Sequence, residues 1–165
     1  MRLTSLIITA LLAPLGGLAA PLAADSIVTL EARQGNCPPK PKPCVRIVPD
    51  PTPQEYKARF EQFAEAFIYK KNITRAFEFI TQDYINHNPM AQNGFDSAWG
   101  ILCGIWNNQN LTPLRTLYQH PMGRVNYRSG FGTIIDRFRW EGGCIAEHWD
   151  SGEKWPTNTT ADPAL

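Results

Sequence analysis

Asp136 lies in the run Ile134-Ile135-Asp136-Arg137-Phe138-Arg139-Trp140, whose alternation puts its carboxylate on the same face as Ile134, Phe138 and Trp140. A carboxylate on the apolar face of a strand is bound for burial, an arrangement suited to proton transfer. After Glu141-Gly142-Gly143 comes a second alternating run, Cys144-Ile145-Ala146-Glu147-His148-Trp149-Asp150. The segment therefore reads as a β-hairpin with a three-residue glycine loop. With Trp140 opposite Cys144, Asp136 falls opposite His148, and Ile134 falls opposite Asp150. Directly opposed side chains share a face, with Cβ atoms about 4.5–5.5 Å apart. This register predicts an Asp136/His148/Asp150 cluster on an apolar floor. A two-residue loop would shift the pairing by one and separate the three.

The elements that must position this cluster lie upstream. Thr52-Pro53-Gln54-Glu55 combines a capping box with proline at the first helical position. Tyr56, Phe60, Phe63, Ala64 and Phe67 then follow at helical spacing, a stripe expected to cover a sheet. Ile73, Phe77 and Ile80 suggest a short second helix, and Tyr84 to Pro89 an extended segment. Phe95, Trp99, Leu102, Cys103 and Trp106 mark a third helix. Leu114 to Leu117 and Arg124 to Arg128 read as strands around a turn at His120-Pro121-Met122-Gly123, ahead of the hairpin. Helices first and an antiparallel sheet afterwards predict an α+β fold.

The chain of 165 residues opens Met1-Arg2, runs apolar from Leu3 through Leu12 and reaches small residues by Ala24, the pattern of a secretory signal peptide over residues 1–24. Residues 25–51 read as a proline-rich arm: seven of the fourteen prolines fall between Arg33 and Pro53. Residues 52–155 form the expected domain, long enough to bury roughly two-thirds of its unfolded surface, and residues 156–165 a flexible tail. Three sequons, at Asn72, Asn110 and Asn158, agree with a secreted or secretory-lumen chain and are candidate glycosylation sites.

Four cysteines in such a chain suggest two disulfides with three possible connectivities. A bridge from Cys103 on the third helix to Cys144 on the hairpin would tie helix to sheet. It leaves Cys37 with Cys44, which requires the intervening proline segment to fold back. Cysteine spacing is not that of a zinc knuckle, and neither metal nor organic cofactor is expected. Formal net charge is +1 and no basic run exceeds two residues, so nucleic acid and anionic membranes are poor partners once the leader is removed. The expected ligand is small and largely uncharged.

Two segments resemble a known family. Asp83-Tyr84-Ile85-Asn86-His87-Asn88-Pro89, with Gly94 beyond it, is similar to the Y-I-x-H-N-P segment of SnoaL-like (polyketide cyclase-like) proteins of the nuclear-transport-factor-two-like superfamily. The runs Ile134 to Trp140 and Ile145 to Asp150 resemble that family's V-V-D-x-F-R-F and I-x-E-H-W-D strands. The resemblance implies a cone, with a curved antiparallel sheet wrapped around helices and a pocket between them. It also implies catalytic roles for Asp136, His148 and Asp150, substrate contacts from Tyr84, His87, Asn88, Arg124 and Asn126, and the possibility of a homodimer. Aldol-type cyclisation or isomerisation and epoxide opening are the implied reactions, and a secreted small-ligand-binding protein is the alternative. Asn88 stands where ketosteroid isomerases carry their general base, and Asn126 where limonene-type epoxide hydrolases carry an aspartate. Both of those exact chemistries are thereby incomplete, and the fold by itself selects neither reaction.

Overall fold

The computed structural model describes residues 37–157 and 159, and the backbone of 162–163. The leader expected over 1–24, the first part of the arm and the sequon residue Asn158 lie outside the described residues.

Helix α1, Pro53–Ala64, starts at a Thr52 cap whose side chain accepts from the Glu55 N–H while Glu55 reaches back to the Thr52 N–H, the expected reciprocal capping box. A π-helical turn, Glu65–Tyr69, continues it. The wider turn rotates Phe67 and Ile68 inward and frees the Phe67 carbonyl, which accepts from the Trp106 indole N–H at 2.7 Å. Helix α2 spans Ile73–Phe77, with the Asn72 side chain as its cap, and strand β1 spans Ile80–Asn86. Ile80, expected to end the second helix, instead opens this strand.

Helix α3, Phe95–Leu102, is followed by a single 3₁₀ turn at Trp106–Asn108, so the third helical stripe breaks at Gly104. Strands β2, Thr112–Gln119, β3, Met122–Ser129, β4, Gly132–Glu141, and β5, Cys144–Trp149, complete the body of the sheet. A two-residue strand β6, Asp162–Pro163, pairs with β2 where the sequence suggested a flexible tail. The sheet order is β1-β5-β4-β3-β2-β6, antiparallel except for the parallel pair β1 and β5.

The aromatic stripe of α1 fills the concave side. Phe63 meets Phe138 edge-on at 4.8 Å, and Phe60 packs on Tyr118 at 5.4 Å. The helix sits so close to β3 that a Cβ on Gly123 would lie 2.5 Å from the Phe60 ring. Glycine is therefore a packing requirement at that position, where the backbone of β3 meets the ring directly.

The hairpin differs from its expected register. Gly142 and Gly143 both have positive φ, 55° and 73°, and form a two-residue turn that pairs Glu141 with Cys144. That turn alone would turn His148 away from Phe138. A bulge corrects it: Trp140 pairs with Ile145 and Arg139 with Glu147, leaving Ala146 as the extra residue. Phe138 then faces His148, and Asp136 is the diagonal neighbour one pair further along.

The disulfides also differ from expectation. Cys37 joins Cys103 and Cys44 joins Cys144. The reason is reach: a proline-rich segment of this length in polyproline conformation would span about 20 Å, too far for Cys37 and Cys44 to bond to each other. Residues 37–51 lie along the sheet edge. The Cys44 N–H donates to the Ile80 carbonyl, the Ile47 N–H to Gly142, and Arg46 pairs with Asp83 and Glu141. Two disulfides accord with an oxidising compartment, and among the described residues no helix is long and apolar enough to cross a membrane.

Peptide mapping without reduction is expected to recover the pairs Cys37–Cys103 and Cys44–Cys144, and recovery of Cys37 linked to Cys44 would contradict this chain path. Gly123→Ala is expected to lower unfolding free energy by about 1–3 kcal/mol through overpacking, measured by chemical denaturation.

Candidate functional site

The sheet and the helices enclose a cavity of about 570 Å³, within the range of small-molecule sites. Phe63, Phe67, Phe77, Ile80, Leu102 and Trp106 supply much of its apolar wall. Met90, before α3, and Phe131, at the β3–β4 turn, line its outer part and are largely exposed. Among its polar lining are Tyr84, Asn86, Asn88, Tyr127, Asp136, His148 and Asp150.

Asp136 is buried on β4, with 3% of its surface exposed. Its Oδ2 accepts from the Tyr127 hydroxyl at 2.9 Å, and its Oδ1 lies 3.1 Å from His148 Nε2. Burial first, and then the Asp136 charge, push the Tyr127 hydroxyl far above the ordinary tyrosine range, so it remains a donor. The His148 ring lies against Phe138 at 4.9 Å, and its side chain is 12% exposed.

Hydrogen-bond contacts orient the His148 ring. The Asn88 backbone N–H donates to Asn86 Oδ1 at 3.1 Å, which identifies that atom as the amide oxygen. His148 Nδ1 lies 3.3 Å from the same oxygen. Its Nε2 thereby faces the Asp136 carboxyl within hydrogen-bond reach, the geometry of a pair that can pass a proton to a ligand.

Asp150 follows β5. Asn88 Nδ2 donates to its Oδ2 at 2.7 Å, while Asn88 Oδ1 accepts from the Met90 N–H, which fixes the orientation of the amide. Asp150 Oδ1 is buried and has no hydrogen-bond partner among the described residues. Tyr84 is buried in the cavity wall, and its hydroxyl is pushed well above the usual range by burial, then by Asp136 and Asp150.

The structure thus brings Asp136, His148, Asp150, Tyr84 and Asn88 together, and it separates three other expected contacts from them. His87 turns to the opposite face, where it stacks on Trp149 at 4.3 Å and bonds Glu147 at 2.8 Å. Strand alternation explains this, since Asn86 and Asn88 point in and His87 out. On β3, Val125 and Tyr127 face inward, so Arg124 and Asn126 project outward. Asn126 is a buried structural amide that donates to the Ile134 carbonyl at 2.8 Å and accepts from Arg115. Burial first, and then neighbouring Arg137, lower the Arg124 guanidinium from its ordinary range. Sequence reasoning missed Asn86 and Tyr127. The parity of β3 and of the Asn86-His87-Asn88 run is the signal that could have found them. Asn72 and Asn110, two of the sequon residues, are exposed.

Tyr127→Phe removes the hydroxyl donated to Asp136 Oδ2 and is expected to cost about 1–3 kcal/mol of stability, as for a buried acceptor left unpaired. Urea unfolding measures it, and a wild-type midpoint would show that the hydrogen bond contributes nothing.

No protein-family model matches the chain, and no curated protein matches it. Solved structures similar to it include TsrD from Streptomyces laurentii, at 17% identity and TM-score 0.45, covering 61% of this chain and 90% of that one. A SnoaL-like protein of unknown function from Burkholderia thailandensis aligns at 10% identity and TM-score 0.48, over 60% and 94% of the two chains. An NTF2-like protein of unknown function from Cytophaga hutchinsonii aligns at 12% identity and TM-score 0.43, over 58% and 88%. These likenesses concern the arrangement of sheet and helices, and no argument about activity rests on them.

Proposed function

We propose that the chain is an acid/base enzyme acting, in a secretory compartment or outside the cell, on a hydrophobic oxygenated metabolite of polyketide type. The observation that carries this reading is the buried Asp136–His148 pair, in hydrogen-bond contact inside an otherwise largely aromatic cavity. The apolar walls bind the carbon skeleton and exclude water, while the polar cluster meets its oxygen.

The favoured reaction is enolisation followed by aldol-type ring closure. Asp150 Oδ1, which lacks a partner, takes the proton from the carbon next to a substrate carbonyl. The Asp136–His148 pair gives a proton to the carbonyl oxygen. The enol carbon then attacks a second carbonyl of the same molecule. As the new carbon–carbon bond forms, Asp150 returns its proton to the new alkoxide and the first oxygen returns its proton to the pair. Product and substrate are isomers, and the side chains end as they began. Tyr84 and Asn88 orient the substrate and Asp150. Epoxide opening is the second reaction class open to the same groups, with Asp150 activating a water. Each proton-transfer role contributes about 10²–10⁴-fold in rate.

A non-catalytic reading, a small-ligand binder, draws on the predominance of apolar wall over polar groups in the cavity. The two readings are separated by whether the ligand is changed. Metabolite mass spectrometry of the source organism with this chain deleted, then restored as wild type or as Asp136→Asn, makes that comparison. A precursor is expected to accumulate in the deletion and to persist with Asp136→Asn. Its mass relative to product distinguishes ring closure from addition of water. An unchanged metabolite profile would exclude turnover and leave the binder. With the substrate in hand, His148→Ala is expected to reduce kcat by about a hundredfold or more. Full turnover by both Asp136→Asn and His148→Ala would exclude this mechanism.

A further inference from the structure

His148, Asp136 and Asp150 share a feature that proton transfer does not require. Each is held from behind through one atom. Asn86 engages His148 Nδ1 at 3.3 Å and leaves Nε2. Tyr127 engages Asp136 Oδ2 at 2.9 Å and leaves Oδ1 directed at His148. Asn88 engages Asp150 Oδ2 at 2.7 Å and leaves Oδ1 buried and without a partner. One ligand-type atom from each of the three residues lies within 4.8 Å of the others.

This is the arrangement by which proteins orient the ligands of a small cation, the far atom of each ligand being fixed by a hydrogen bond. Separation and charge agree with it. His148 Nε2 and Asp136 Oδ1 are 3.1 Å apart. Two atoms each about 2.0–2.2 Å from a metal are separated by about 3 Å at an octahedral right angle and by about 3.4 Å at a tetrahedral angle. Two carboxylates and one imidazole also form a donor set suited to zinc or manganese. Asp150 Oδ1 is a buried carboxylate oxygen for which the described residues provide no donor, and a cation satisfies it.

We propose that Asp136, His148 and Asp150 form a divalent-cation site of the zinc or manganese class, with Asn86, Tyr127 and Asn88 orienting the ligands. Ligand closure around the ion requires a pair 4.8 Å apart to approach by about 1.5 Å, within reach of a side-chain rotation about χ angles. A bound cation occupies the space between His148 and Asp136 and so competes with proton transfer there. The site is thus a point of control over the acid/base chemistry proposed above. Cation binding is nevertheless measured without substrate, so either reading can fail while the other stands.

The test is calorimetric titration of the chelator-treated, refilled-buffer full chain with ZnSO₄ and with MnCl₂, no metabolite being present. Wild type is expected to bind one ion of at least one of the two metals per chain. Asn88→Ala is expected to bind about 10- to 100-fold more weakly, and Asp150→Asn at least as weakly as that. His87→Ala, which removes the histidine on the opposite face, is expected to bind like wild type. A wild-type chain that binds neither metal overturns the proposal, as does an affinity unchanged by Asp150→Asn or lost in His87→Ala. A readout independent of the variants' folding is the Co²⁺ spectrum of the wild-type chain. A ligand-field band distinct from that of the aquo ion supports the site, and the unchanged aquo-ion spectrum overturns it.

Discussion

The two oxygens of Asp136 are engaged by different groups, a tyrosine hydroxyl from the next strand on one side and an imidazole from the strand on the other. A carboxylate with only 3% of its surface exposed is costly to bury unless both oxygens are engaged. Much of the sheet serves this requirement. The bulge at Ala146 returns His148 to the inner face, inward-facing Tyr127 on β3 presents its hydroxyl, and Asn86 on β1 fixes the imidazole. The aromatic stripe of α1 then seals the same face, so each hydrogen bond operates at a low local dielectric, where it is stronger.

A small domain with a cavity in its interior forgoes part of its core. The proline-rich segment and its two bridges offset that loss. The bridges close stretches of 66 and 100 residues, and restricting loops of that length in the unfolded chain is worth about 4–5 kcal/mol each in the chain-entropy account. Their placement matters as much as their number. Cys37–Cys103 holds the end of α3, next to the wall residues Leu102 and Trp106, and Cys44–Cys144 holds the start of β5. Arg59 strengthens the second attachment by donating to the Gly143 carbonyl and lying over the Phe79 ring.

Periodicity revealed the helices and the hairpin strands, because the apolar spacing of Tyr56 to Phe67 and the alternation around Asp136 are local properties. It also revealed the cluster, though through a register that the structure does not have. The expected three-residue loop and the observed two-residue turn plus bulge both place His148 on the Asp136 face, since each adds one residue between the strands. Pattern alone cannot distinguish these two placements of the extra residue. The disulfides were less legible, since pairing depends on how the proline segment crosses the sheet, which no local pattern records. His87, Arg124 and Asn126 carried family-like chemistry but the wrong parity, and parity was the more reliable guide. Tyr127 carries no local signal beyond its parity, since a tyrosine on the inner face of a strand packs as readily as it donates.

The polar groups of the cavity sit largely on or beside β1, β3, β4 and β5, whereas much of its outer wall comes from α3, the 3₁₀ turn and two loop tips. Asp136, His148 and Tyr127 are locked into a hydrogen-bonded ladder, while Met90 and Phe131 touch little but solvent. The polar cluster and the outer wall are therefore carried by separable parts of one small chain. Changes at the loop tips can reshape the mouth of the cavity while the hydrogen-bonded cluster behind it stays fixed, with little loss of the ability to fold.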